Sequence, residues 1–71
     1  MAQFKVLDGA GRCVEEHPSL KLAARAALVL SAHEVKNGRT GDFRCDPPSF
    51  FLWNELDLPD WVVEALGLDD E

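Results

Sequence analysis

The chain has no lysine or arginine after Arg44. Residues 46–71 hold eight acidic side chains and no base, whereas residues 1–45 hold five acids and seven bases, a balance of +2. The C-terminal part therefore carries −8 of a total formal charge of −6. A field of that sign repels phosphate and attracts basic surfaces, which argues against direct DNA or RNA binding through this part. The chain also lacks any apolar run approaching 18 residues, which excludes a membrane-spanning helix as an expectation. Its start, "MAQFKVLDGAGR", lacks the basic head and apolar centre of a secretory signal. A cytoplasmic location is expected, with Cys13 and Cys45 reduced.

Other absences narrow the chemistry. Cys13, His17, His33 and Cys45 are the only soft metal ligands, and they are not spaced as close Cys-x2-Cys pairs. The plain reading makes the cysteines small buried residues and the histidines surface residues. Cys13 and His17 could point the same way along a strand, but they make only half a site. Nothing marks a thiolate with its base or an oxyanion hole. Glu15 and Glu16 are adjacent, so a strand sends them to opposite faces. Glu55, Asp57 and Asp60 lack the spacing of a calcium loop. "GAG" at 9–11 lacks the lysine and helix start of a phosphate loop. No enzyme, cofactor or metal is expected.

What is present is enough for one small domain over 1–71. The apolar fraction is 46%, ordinary for a folded protein. A chain this short buries only about 60% of its unfolded surface, so its stability margin is thin. "QFKVLD" alternates, "DGAGR" turns and "RCVEEH" returns, predicting a hairpin over residues 3–17 with Gly9 and Gly11 supplying positive φ. "SLKLAARAALVLSAHEVKNG" predicts a long helix, capped by Ser19 and stopped at Asn37-Gly38. Leu20, Ala24, Ala27, Leu28 and Val35 form the stripe expected on the sheet. Leu22, Ala26 and Val29 lie near the other side, beside Arg25 and Lys36. A helix apolar on two sides has two neighbours, here either the C-terminal segment, which is preferred, or a second copy of the chain.

"RTGDFRCD" alternates around Phe43 and Cys45 and predicts a third strand, ended by Pro47-Pro48. "SFFLWNEL" reads equally as a fourth strand or an irregular apolar wrap. "LPDWVVEALG" predicts a short helix with Pro59 in its first turn, Asp60 at its positive end and Gly67 closing it. Its stripe would be Trp61, Val62, Ala65 and Leu66, with Trp61 assigned to the core, and "LDDE" is a frayed tail. The expected class is α+β: a three-stranded antiparallel sheet, one long helix packed on it and a short acidic C-terminal helix.

Both tryptophans, Phe50 and Phe51 share the segment that excludes lysine and arginine. Three readings compete. In the first the acids are only a solvated face; yet solubility does not require excluding every base, and natural surfaces mix the signs. In the second they form a recognition surface in which Glu55, Asp57, Asp60, Glu64, Asp69, Asp70 and Glu71 meet a basic site, with Trp53, Phe50 and Phe51 as apolar anchors. Duplex DNA carries about one phosphate charge per 1.7 Å of axis, and Asp60 and Glu64 are about 6 Å apart along a helix. Carboxylates on a rigid frame could thus occupy a groove built for phosphates. In the third reading the second apolar side of the long helix makes a homodimer; a monomer is the expected state.

The length, the hairpin–helix–strand order and the "NELDLPDWVVEALGLDDE" end resemble the small acidic inhibitors made by phages and mobile elements, particularly type I anti-CRISPR proteins. The resemblance implies a non-enzymatic inhibitor acting in the bacterial cytoplasm. It also implies a protein partner with a basic nucleic-acid-binding surface, such as a CRISPR surveillance-complex subunit. Antitoxins and small phage regulators, acting by protein–protein contact or homodimerisation, share most of these traits and are the alternative.

Overall fold

A computed structural model describes residues 4–46 and 51–68, with the side chain of Trp53 outside that description. Phe50, Asp69, Asp70 and Glu71, named above for partner binding, lie outside the described residues.

The hairpin forms from β1 (Phe4–Leu7) and β2 (Cys13–His17). Asp8 organises the turn. Its Oδ1 accepts the backbone N–H of Ala10 and of Arg12, both at 2.9 Å. Gly11 takes φ +86°, the left-handed residue that closes a three-residue hairpin loop. Gly9 does not take positive φ, contrary to expectation; its role is one of space, because a Cβ there would sit 3.1 Å from Asp42 Oδ2. The register shifts between Val6 and Leu7, which pair with Glu15 and Cys13. Val14 is thus the extra residue of a bulge on β2.

The third strand, β3 (Arg44–Asp46), pairs antiparallel with β1, giving the order β2-β1-β3. It is shorter than the alternation predicts. Gly41, at φ +68°, turns the chain against the long helix before a strand can start. Val6 is fully buried at the centre of the sheet, and Cys45 beside it is buried. Cys13 is exposed on the opposite edge strand, with β1 between the two cysteines.

The helix α1 (Leu20–Lys36) covers one face of the sheet. Ser19 occupies its N-cap, but its side chain makes no capping hydrogen bond. The other end closes with paired bonds: Gly38 N–H to the Val35 carbonyl at 3.0 Å and Arg39 N–H to the Glu34 carbonyl at 2.8 Å, with Gly38 at φ +80°. Ala23, Ala24 and Ala27 enter the core with Val6 and Cys45, and Leu20 and Leu28 pack at its margin. Small side chains at the contact let the helix approach the sheet closely.

Residues 51–59 run irregularly, with a 3₁₀ turn at Trp53–Glu55, so the described part of "SFFLWNEL" is a wrap and not a strand. Leu56, only 2% exposed, inserts into the core, and Phe51 and Leu58 pack against it. The last helix, α2 (Asp60–Leu66), lies on α1. This is the second neighbour that α1's two-sided apolarity called for. Pro59 is the N-cap residue, one position before the first turn. Its carbonyl accepts the N–H groups of Val62 and Val63. Val62 and Val63 are the buried residues of α2. Trp61, Ala65 and Leu66 of the expected stripe are half-buried instead. Leu68 is not frayed: its N–H reaches the Val63 carbonyl at 3.0 Å while Gly67 stands at φ +65°.

Candidate functional site: the acidic wrap and short helix

The pattern "ELDL" at 55–58 sorts its side chains by polarity. Leu56 is buried and Leu58 half-buried, while Glu55 and Asp57 are exposed. Burial of the leucines thus holds the two acids outward on the domain surface. One turn later, Asp60 and Glu64 are exposed on α2, whose other residues Val62 and Val63 are buried. Four carboxylates therefore stand on backbone that is anchored by Leu56, Val62 and Val63. Leu52, at 68% exposed, is the most exposed large apolar side chain among the described residues and precedes them directly.

Among the described residues these carboxylates join no ion pair. Ion pairs among the described residues join Asp8 to Arg12 and Glu34 to Arg39, and the His17 ring meets Glu15. Arg25 faces the acidic segment, but its Nε reaches the backbone carbonyl of Asp57, at 3.5 Å, and not the carboxylate. Lys36 lies over the ring of Trp61, 5.4 Å from its centroid. Glu55 also has an internal role, since its Oε2 accepts the Leu52 N–H at 3.0 Å. That bond ties the 3₁₀ turn and still leaves the Glu55 charge at the surface.

Asp57 adopts φ +53°, the only positive φ at a residue other than glycine among the described residues. Aspartate tolerates this region better than most residues, at a cost of about 1–2 kcal/mol. The chain turns there between the buried Leu56 and the start of α2.

Trp61 is not in the sheet core. It packs on the outer side of α1, with the His33 ring 4.7 Å away and tilted by 58°. This contact fixes α2 at the C-terminal end of α1. Asp46, the eighth acid of the segment, lies on the sheet opposite Lys5 and not on the wrap.

No other chemistry gathers. Among the described residues no group of three or more His, Cys, Asp or Glu side chains comes together to hold a metal ion. His17 Nε2 is 2.9 Å from Glu15 Oε1, and Cys13 Sγ lies 3.3 Å from the Glu15 carbonyl oxygen. The His17 ring and the Cys13 thiol thus meet groups of their own strand. No helix among the described residues is long and apolar enough to cross a membrane.

Sequence reasoning named the exposed acids but missed Leu56, the residue that positions them. The signal was the alternation in "ELDL". It also missed a groove beside Asp42, whose walls come from segments far apart in sequence. Compared with protein-family models, curated proteins and solved structures, the chain has no match in any of the three.

Proposed function

We propose that this protein is a non-enzymatic inhibitor that docks its acidic wrap and short helix into a basic nucleic-acid-binding groove of a bacterial defence complex. A CRISPR surveillance-complex subunit is the kind of partner that fits. The observation that supports the reading most is the state of Asp57, Asp60 and Glu64. All three are exposed and in no ion pair among the described residues, on backbone anchored by buried Leu56, Val62 and Val63. A carboxylate carried on an anchored backbone loses little backbone freedom on binding, so more of its attraction survives as affinity. Leu52 beside them offers an apolar contact that a groove can desolvate.

The test has two stages. Affinity capture from a bacterial lysate identifies the partner, which should bind nucleic acid and lose it when saturated with this protein. A titration then compares the native chain with Asp57→Lys, Asp60→Lys and Glu64→Lys combined. Affinity should fall by orders of magnitude while the circular dichroism spectrum is kept. Unchanged affinity, or a partner that holds its nucleic acid at saturation, removes the mechanism.

Leu22, 47% exposed on α1, supports a second reading, a regulator or antitoxin that works as a homodimer. Val29, the other residue behind that idea, is half-buried in the monomer. Mass measurement in solution separates the two.

A further inference from the structure

A groove of about 320 Å³ opens between the hairpin turn, the last turns of α1 and the α1–β3 connection. Val14 and Phe43 supply apolar wall; Asp8, Glu34, Arg39 and Asp42 supply charge. Three carboxylates thus face one guanidinium, but two of the three are occupied. Asp8 accepts turn N–H groups and has Arg12 Nε 3.7 Å away. Glu34 receives the Arg39 guanidinium at 2.8 Å. Asp42 is exposed and has no partner among the described residues. Arg44 leans toward the turn, its Nη2 4.0 Å from the position a Cβ would take on Gly11, without pairing to Asp42.

Both walls are tied by hydrogen bonds and close backbone contacts. The turn is locked by Asp8. The connection is locked by Gly41, which lies directly on the α1 backbone at Ser31, and by the Phe43 N–H donated to Ser31 Oγ at 3.2 Å. Ser31 itself is buried. Gly9 completes the shape, since a side chain there would press on the Asp42 carboxylate. Fixed geometry of this kind is what a binding site needs and a mere surface dent lacks.

We propose that this groove is a socket for one arginine side chain of a protein partner, with its guanidinium on the Asp42 carboxylate and its aliphatic stem along Val14 and Phe43. At about 320 Å³ the groove stands at the small end of the range for ligand pockets, which begin at roughly 300 Å³, and has room for an arginine side chain. A metal ion would need several carboxylates free, and only one is. Arginine fits better than lysine because its guanidinium is more weakly hydrated, forks onto a carboxylate and stacks on aromatic rings. The source of the arginine rests on the acidic-docking reading above, since a partner groove built for phosphate is rich in that residue.

The experiment is a titration of the ¹⁵N-labelled full chain with the peptide acetyl-Gly-Arg-Gly-amide, followed by amide shifts. A peptide with neutral citrulline in place of arginine is the control. The Gly9, Gly41, Asp42 and Phe43 amides should shift and saturate. Citrulline, and separately Asp42→Asn, should each weaken binding at least fivefold while the rest of the spectrum is kept. Equal binding of citrulline, an unchanged affinity for Asp42→Asn, or shifts confined to residues 57–64 overturns the socket. The last outcome leaves the acidic-docking reading standing. If the socket shifts appear but the triple charge reversal on 57, 60 and 64 leaves partner affinity unchanged, the docking reading falls and the socket remains.

Discussion

The carbonyl oxygen of Ser31 lies 2.5 Å from where a Cβ on Gly41 would stand, and Val35 Cγ2 lies 2.8 Å from it. The α1–β3 connection thus runs directly on the helix backbone, and it does so at φ +68°. Gly41→Ala meets both the contact and the disfavoured dihedral. We expect a loss of about 2 kcal/mol or more, read as a lower urea midpoint with an unchanged slope. Gly38 makes the contrast: it also has positive φ, but a Cβ there touches nothing within 4 Å. Gly38→Ala should therefore cost only the dihedral term, about 1 kcal/mol. Equal losses at the two positions would contradict the packing argument.

The turn at Asp8 gives a prediction in pH. Its carboxylate titrates below the ordinary aspartate value of 3.8, chiefly because the ionised form accepts the Arg12 backbone N–H. Burial opposes this, and the Ala10 N–H and the Arg12 guanidinium reinforce it. A depressed folded value stabilises the fold above the unfolded value, and that contribution disappears as pH falls from about 4 through the folded value. The native chain should therefore lose stability in that window more steeply than Asp8→Asn, which keeps an oxygen acceptor but has no charge to lose. Thermal melts at a series of acidic pH values check it. Parallel curves for the two proteins would show that the Asp8 charge is not coupled to folding.

Much of this architecture was readable in advance because two signals agreed locally. Alternation at Phe4 and Val6 matched the glycine turn that follows. Apolar periodicity from Leu20 to Val35 matched Ser19 and Gly38 at its ends. The extra apolar side of α1 even required a second neighbour, which α2 supplies. What was not readable depended on contacts between distant residues. β3 begins at Arg44 because Gly41 must first meet Ser31, ten residues earlier. Trp61 leaves the sheet core because His33 and Lys36 offer it a ring and a cation on the far side of α1. The acids at 55, 57, 60 and 64 were visible as a charge run, but their outward placement follows from Leu56 joining the core cluster formed with Val6 and the α1 alanines.

The His33–Trp61 contact adds to the buried Val62 and Val63 in holding α2 on α1. Trp61→Ala removes a large half-buried side chain together with the ring pair and the Lys36 contact, and should cost about 2 kcal/mol, below the range of about 3–5 kcal/mol for a fully buried aromatic. His33→Ala removes only the ring pair and should cost about 1 kcal/mol. If the two act through one contact, the double variant should lose less than the sum of the single losses, as a double-mutant cycle would measure. Strict additivity would mean that Trp61 stabilises the fold without His33.

Asp57 separates folding from binding at a single position. Its φ of +53° strains every residue but glycine and, to a lesser degree, asparagine and aspartate. Asp57→Gly should leave stability unchanged or raise it by up to about 1 kcal/mol, whereas Asp57→Ala should lower it by a similar amount. Both remove the same carboxylate, so both should weaken binding to a basic partner alike. That weakening should shrink as salt rises, because exposed charges are screened beyond about 10 Å at 0.1 M ionic strength. Stability is read from urea melts and affinity from calorimetry at two salt concentrations. If affinity followed stability, with Gly binding like the native chain and Ala binding poorly, the Asp57 side chain would be shaping the turn and not meeting the partner.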